Sequence, residues 1–343
     1  MKAKKLMNGL YLVLGMAFSL FFFRDSNKIY ILFFEDIGSA VFPLSFLDTI
    51  ACKGTHVCVI TTKKYQDLCN MYDERIDEIK IWNKLLSKCV TRYLSKLPRE
   101  KLQNKGIFHF YTNPEKERIT KWAYKNNEVF SDLSINNIIY SYLFDVGILN
   151  KISYGNTDRI NKGILSSLIQ KYGIIRQKSI ILIPYTVSGD MLPSEFWSRL
   201  AKKLNEKGYR VFTNTIHEYE VIDGTSIIDA PIAYIPSCVK YGGCAVSIQT
   251  GLADLLHHTK TPCIVIQKWG EKFSEYFKDC VKDNKMNIPT VEYNRHNMEL
   301  VGKDPFVFQG CYSGCFESME ELEQLEMKIL VTVQAWEEQK YEI

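Results

Sequence analysis

The chain has 343 residues, 46% of them hydrophobic, with 10 Pro and 19 Gly, which predicts two main domains folded nearly throughout. This length excludes a peptide hormone or a small disulfide scaffold. A formal net charge of only +4 excludes a dedicated nucleic-acid-binding protein, so we expect no nucleic-acid partner.

An almost uninterrupted apolar segment spans residues 6–23, after Lys2, Lys4 and Lys5. It fits a signal peptide, a membrane anchor, or a helix that lies in the membrane interface or packs within the first domain. A signal peptide would deliver a thiol-rich chain to an oxidising compartment. A single span would keep the lysines in the cytoplasm and place the rest of the chain outside it. We therefore favour the third alternative.

The first half alternates strands and helices. Residues 28–34 (KIYILFF) have the composition of a buried strand, and residues 35–39 (EDIGS) form a turn into a helix over 40–52. A strand at 57–61 and a helix at 65–71 repeat the pattern. This βαβα order predicts a parallel sheet. Further apolar segments lie at 107–111 and 137–142.

Basic residues recur at every fourth position between residues 80 and 96, with apolar residues between them. This spacing predicts a positively charged flank along one helix. Such a flank suits either solvent or an anionic membrane surface. Its members are Lys80, Lys84, Lys88, Arg92 and Lys96.

The second half begins the same alternation again. Strands are predicted at residues 179–184, 210–214, 244–248 and 263–267, and helices at 193–207, 232–240 and 252–259. An acidic helix over about 317–338 has no strand after it and is expected to pack back on the domains. The predicted parts are a hydrophobic segment at 1–24, Rossmann-like domains at 25–175 and 176–316, and a terminal helix at 317–343.

The ten cysteines are scattered and form no CxxC pair, so a zinc ribbon is not expected. Several lie in apolar runs, where cysteine acts as a small buried hydrophobe. We interpret most as reduced thiols of a cytoplasmic protein. Cys311 and Cys315, in a glycine-containing segment, are the one pair considered for a disulfide or a metal.

Polar turns follow three strands of the second half, where open α/β sheets bind ligands. The alternative is an ordinary capped loop for the first turn and a solvated helix start for the second. In the third turn a glycine and a helix start favour a diphosphate. The candidate binding residues are Tyr185, Thr186 and Ser188 in the first turn, Asn214 and Glu218 in the second, and Gln249, Thr250, Gly251, Leu252 and Asp254 in the third.

A metal site is not expected beside the third turn. His257 and His258 are neighbours on a helix and point about 100° apart, so they do not chelate one ion together. The chain also has no GxxxxGK[ST], HExxH, GxSxG or clean GxGxxG motif, which disfavours P-loop, zincin, hydrolase and dinucleotide-oxidoreductase chemistry.

Two Rossmann-like halves, a glycine turn after the first strand, a Pro-x-x-x-Trp helix start at 193–197, and a Thr-Gly-Leu segment at 250–252 followed by Pro262 resemble one family. It is the GT-B glycosyltransferases of the ADP-heptose:lipopolysaccharide heptosyltransferase type. The resemblance covers residues 28–268 and is strongest over 180–267. It implies an α/β fold of GT-B type, in which two Rossmann-like domains face a central cleft.

The resemblance also implies a site. A nucleotide diphosphate would lie against the second half, the first domain would take the acceptor, and an acidic residue of a Gly-Asp turn would act as catalytic base. That turn is matched here by Gly38 and Ser39, and the nearest carboxylates are Glu35 and Asp36, of which we favour Asp36. The D-T-G-L-x-H segment of the family is matched by residues 249–254, and the phosphate-contacting lysine has no match at 188–190.

The implied activity is inverting, metal-independent transfer, without a cofactor, from a nucleotide-diphosphate sugar to a glycan or lipid-linked precursor of lipopolysaccharide or surface polysaccharide. We expect a cytoplasmic protein, peripheral at the inner face of the membrane. One alternative is a catalytically inactive nucleotide-sugar-binding or scaffolding protein of the same fold. Another is a Rossmann-type epimerase, which would require bound NAD.

Overall fold

The computed structural model describes residues 2–25, 27–34, 37, 41, 43–44, 47, 56–72, 75–98, 101–102, 104–109, 154–186, 190–268 and 309–339. The chain divides into two compact units, Met1–Arg159 and Ile160–Ile343. Each unit contains a parallel β-sheet with helices, as the alternation in the sequence predicts.

The sheet of the first unit has the strand order β3-β2-β1-β4, and every described pairing is parallel. Strand β2 pairs with one side of β1 and β4 with the other, so the strand order reverses at β1 although the described pairings are all parallel. The elements are α1 (Lys2–Phe22), β1 (Lys28–Leu32), β2 (His56–Thr61), α2 (Gln66–Asn70), β3 (Glu78–Ile81), α3 (Lys84–Leu94) and β4 (Ile107–His109).

The predicted strands at 28–34 and 57–61 are confirmed by β1 and β2. Within the predicted helix at 40–52, the described residues Val41, Pro43, Leu44 and Leu47 are helical. The apolar segment at 137–142 lies outside the described residues.

The prediction of one basic helix flank over residues 80–96 is wrong at its start. Lys80 lies in β3, where it is in register with Ile60 of β2, and its ammonium pairs with Glu78 at 3.3 Å. The helix begins only at Lys84, because the Asn83 side chain accepts the Leu86 amide at 2.9 Å and caps it. The four-residue spacing therefore crosses a strand and a helix.

Helix α1 packs against α3 within the first unit. A Cβ added to Gly15 would lie 2.1 Å from the Cys89 carbonyl oxygen, so only glycine allows the two backbones to approach this closely. At the end of α1, the Phe22 ring lies 5.0 Å from the Trp82 ring and Phe23 is buried beside Tyr30. The structure thus shows this segment as a helix packed within the first unit, which is one form of the third alternative. Among the described helices, none is long and apolar enough to span a bilayer.

The second unit has a six-stranded parallel sheet of order β10-β9-β8-β5-β6-β7. Counted from its first strand, this is the 3-2-1-4-5-6 order of the Rossmann fold. Its elements are α4 (Lys162–Tyr172), β5 (Ser179–Ile183), α5 (Ser194–Glu206), β6 (Arg210–Asn214), β7 (Ser226–Ile228), α6 (Ile235–Gly242), β8 (Gly243–Ile248), α7 (Gly251–His258), β9 (Cys263–Lys268), β10 (Gln309–Gly314) and α8 (Met319–Gln339).

The terminal helix α8 packs on the core of the second unit. Leu325, Ile329 and Val333 of α8 join the cluster that contains Trp197 of α5. Glu326, which is fully buried, accepts a hydrogen bond from Arg199 at 3.2 Å and also pairs with Lys203. A buried carboxylate needs such partners, so these contacts fix α8 on α5.

The disulfide considered for Cys311 and Cys315 is absent, because Cys315 is an exposed free thiol. Cys311 lies in β10, in register with Val265 of β9. Four residues of extended chain span about 13 Å, whereas a disulfide requires Cα atoms within about 7 Å of each other. No group of three His, Cys, Asp or Glu side chains that could hold a metal occurs in the described part of the chain.

Candidate functional site

The site is built at the point where the second sheet reverses its strand order. Strands β5 and β8 are parallel neighbours, with Ile183 opposite Ser247. The chain continues from β5 to β6 on one side and from β8 to β9 on the other, so the connections diverge and leave a crevice at the carboxyl ends. Neighbouring strands are about 4.8 Å apart. The structure thus brings the turns that begin at Pro184 and Gln249 to the same edge of the sheet.

Thr250 caps the helix that follows β8. Its backbone is extended, and its Oγ1 accepts the amides of Leu252 at 3.1 Å and Ala253 at 3.2 Å. A hydroxyl that accepts two amides still has its own proton to donate. Leu252, which we expected to offer its amide to a diphosphate, uses that amide in the cap and buries its side chain. An anion at this terminus therefore meets the Gly251 amide and the Thr250 hydroxyl.

Gln249 and Asp254, the two positions that depart from the D-T-G-L-x-H pattern, contact each other. The side-chain Nε2 of Gln249 donates to the Asp254 Oδ1 at 3.0 Å. The backbone N–H of Gln249 donates to the Ile266 carbonyl at 2.8 Å. The Gln249 Oε1 is buried and has no hydrogen-bond partner within the described ranges. The first turn of α7 thus carries a carboxylate that the neighbouring amide orients.

Tyr185 links the turn after β5 to the segment after β6. Its hydroxyl donates to the Glu220 carbonyl, and its ring packs against the core of the second unit. Burial, together with the charge of Glu220, raises the pKa of Tyr185 above its usual value. Thr186, the next residue, is half-buried at the same edge of the sheet.

Residues after β6 form a second polar patch at this edge. Asn214 ends β6 and donates its Nδ2 to the Ile228 carbonyl at 3.1 Å, so its amide holds β6 to β7. Glu218 is exposed in a short 3-10 turn. The Glu220 carboxylate, which we did not select from the sequence, accepts the Thr215 hydroxyl. The carboxylate fixed by a side chain is therefore Glu220 rather than Glu218.

His257 faces the interior of the second unit. Its side chain is buried, burial lowers its pKa to about 4, and its Nε2 has no partner in the described part of the chain. Burial and the adjacent His257 also lower the pKa of His258. At neutral pH both imidazoles are uncharged, so they add no positive charge at the carboxyl end of α7.

Five of the predicted site residues lie outside the described residues. They are Glu35, Asp36, Gly38, Ser39 and Ser188. The strand that leads to the first four is well defined: β1 ends at Leu32, and the Thr61 hydroxyl donates to the Phe33 carbonyl at 2.8 Å just beyond it. Strand β1, which precedes these residues in the sequence, lies between β2 and β4 in the sheet.

Solved structures of other proteins show which known fold this chain has. The structure of E. coli ADP-heptose lipopolysaccharide heptosyltransferase II matches 92% of this chain and 99% of its own, with a TM-score of 0.54 and 12% identity. The fold is that of the GT-B glycosyltransferases. The glycosyl transferase family 9 protein from Veillonella parvula matches 82% of this GT-B chain and 98% of its own, with a TM-score of 0.50 and 11% identity.

The predicted GT-B fold and the structural resemblance to heptosyltransferases are thus confirmed for this chain. No protein-family model and no curated protein sequence matches it. At 11% and 12% identity, the solved structures establish the fold alone.

Proposed function

We propose that this GT-B chain is an inverting, metal-independent glycosyltransferase. It moves a sugar from a nucleotide-diphosphate donor to a glycan or lipid-linked precursor of lipopolysaccharide or surface polysaccharide. The observation that carries the proposal is the Thr250-capped start of α7, which follows β8 at the point where the Rossmann-ordered sheet reverses. The GT-B fold shared with sugar transferases supports the same reaction class.

The donor diphosphate is proposed to lie at the amino terminus of α7. The Gly251 amide and the Thr250 hydroxyl donate to it, and the positive end of the helix dipole stabilises the charge that develops when the sugar leaves. Thr186 and Ser188 add hydroxyls from the turn after β5. Asn214 and Glu218 are proposed to lie nearer the nucleoside, where a carboxylate accepts ribose hydroxyls.

This arrangement supplies the stabilisation that a divalent cation gives in other transferases, so we expect transfer to continue in EDTA. The experiment first screens UDP, GDP, CMP and ADP by thermal shift and calorimetry, and then measures sugar transfer with and without EDTA. A bulky Gly251→Val side chain should weaken nucleotide binding by blocking the backbone amide. Gly208→Val, at an exposed helix end where φ is +85° and valine strains the backbone, is the control for general loss of stability away from the α7 terminus. Unchanged affinity in Gly251→Val would place the pocket elsewhere.

The base that deprotonates the acceptor hydroxyl is proposed to be Asp36, with Glu35 as its neighbour; Ser39 lacks useful basicity near neutral pH. Asp36→Asn should lower kcat by a factor of about 10² to 10⁴ while leaving nucleotide affinity unchanged. Asparagine caps helices about as well as aspartate, so a mere capping role predicts normal turnover in this variant. Glu35→Gln is the matched control, and wild-type turnover of Asp36→Asn would end the assignment.

A nucleotide-sugar-binding protein without catalysis is the second candidate. The sequence at Gly38-Ser39 favours it, because serine stands where the heptosyltransferase-type turn carries its catalytic carboxylate. Nucleotide binding without turnover of any nucleotide sugar would favour this candidate. A nucleotide-sugar epimerase is tested separately by the absorbance spectrum of bound NAD in the purified protein.

A further inference from the structure

Over residues 9–22, where the structure describes its side chains, helix α1 buries one side and exposes the other. Gly15 and Ser19 are buried, and Gly15 lies against the backbone of Cys89 in α3. The opposite side of the helix is exposed and apolar, with four large side chains inside a sector of about 100° around the helix axis. The exposed fractions there are 50% for Leu10, 59% for Val13, 53% for Leu20 and 62% for Phe21.

A row of exposed large hydrophobic side chains is unusual on a protein surface that only water covers. The charge of the neighbouring helix α3 indicates what covers the apolar side chains of α1. In α3, Lys84 and Lys88 are exposed and Arg92 is half-exposed, while Val90 and Leu94 point into the core. Leu85, 56% exposed, lies between the two lysines. The outward side of α3 thus combines positive charge with an apolar residue.

The two helices carry charge of one sign. The sequence of α1 contains three lysines and that of α3 two lysines and one arginine, and neither contains an acidic residue. Lys28, Lys80 and Glu78 form their own ion-paired group on the adjacent strands. An identical surface on a second copy would bring like charges together, whereas anionic headgroups neutralise them.

We infer that the α1–α3 surface, formed by Leu10, Val13, Leu20 and Phe21 with Lys84, Lys88 and Arg92, docks on an anionic lipid bilayer. The apolar face of α1 enters the boundary between headgroups and acyl chains, and the cations of the neighbouring α3 attract anionic headgroups electrostatically. Lys80 takes no part, because Glu78 pairs with it. The inference does not rest on sugar transfer, since it concerns only the surface of the first unit.

Vesicle co-sedimentation of the full chain tests the surface. We expect binding to phosphatidylcholine vesicles that contain phosphatidylglycerol, weak binding to phosphatidylcholine alone, and release at high salt. The variant V13S/L20S removes apolar contact and K84E/K88E reverses two charges, and each should weaken binding by at least about tenfold.

The controls make matched changes in the second unit. M327S/V331S replaces two residues of α8 that are 62% and 64% exposed, and K202E/K207E reverses two exposed lysines. Both should bind vesicles like the wild type, and circular dichroism confirms that every variant is folded. Wild-type binding by V13S/L20S or K84E/K88E, equal losses in the controls, or equal binding to uncharged vesicles would overturn the inference. So would a wild-type dimer, seen by light scattering, that V13S/L20S converts to a monomer.

Discussion

Thr250 caps the short helix α7 and His257 lies within it, yet one belongs to the candidate site and the other to the core. Thr250 was selected from the sequence as a diphosphate ligand, and its hydroxyl caps α7 while keeping a proton to donate. His257, about two helical turns further on, faces inward and is 7% exposed. A buried imidazole whose Nε2 has no hydrogen-bond partner in the described part of the chain is stable there only when it is neutral.

His257 should make the protein less stable in mild acid. Its pKa is about 4 in the folded chain, against a usual value near 6.5 when unfolded. Between these values only the unfolded state binds the proton, so stability falls as the pH drops from 6.5 towards 4. Between pH 7 and pH 5 the loss attributable to His257 is about 2 kcal/mol.

Urea unfolding at the two pH values measures this loss. His257→Leu should reduce the difference between pH 7 and pH 5 by about 2 kcal/mol. Part of the difference will remain, because burial lowers the pKa of His258 in the same direction. An equal pH dependence in His257→Leu and the wild type would show that the imidazole is not buried.

The contact between α1 and α3 depends on the absence of a side chain at one position. Gly9 and Gly15 lie in the same helix, but a Cβ at Gly9 has no neighbour within 4 Å, whereas a Cβ at Gly15 would meet the Cys89 backbone. Backbone cannot move aside as the end of a flexible side chain can. We therefore expect alanine at Gly9 and alanine at Gly15 to change the stability of the chain in opposite directions.

Gly9→Ala should stabilise the chain by about 0.5–1 kcal/mol, because alanine favours the helix more than glycine does. Gly15→Ala gains the same propensity but forces the two helices apart, and we expect a net loss of about 1–3 kcal/mol. Denaturant unfolding measures both, with proteolysis of α1 as a second readout. Equal stabilisation by the two substitutions would contradict the packing of α1 on α3.

At the scale of the whole molecule, the small net charge conceals a segregation of charge. Helices α1 and α3 of the first unit have no acidic residue, whereas α8 of the second unit has six glutamates and one lysine. The proposed membrane contact lies on the first unit and the proposed donor contact on the second. The net charge of +4 therefore predicts neither partner, and local charge is what indicates them.

The sequence by itself determined the alternation of strands and helices, the GT-B resemblance, and the turn at Thr250, because hydrophobic periodicity and helix caps are local signals. Only the tertiary structure decided that Lys80 belongs to a strand, that Cys311 lies in β10, and that Gln249 contacts Asp254. The same holds for the close approach of Gly15 to Cys89. The edge strands β3 and β10 are short or rich in glycine, and they become strands by pairing with β2 and β9. Strand pairing and helix packing join residues far apart in the chain, so no local pattern records them.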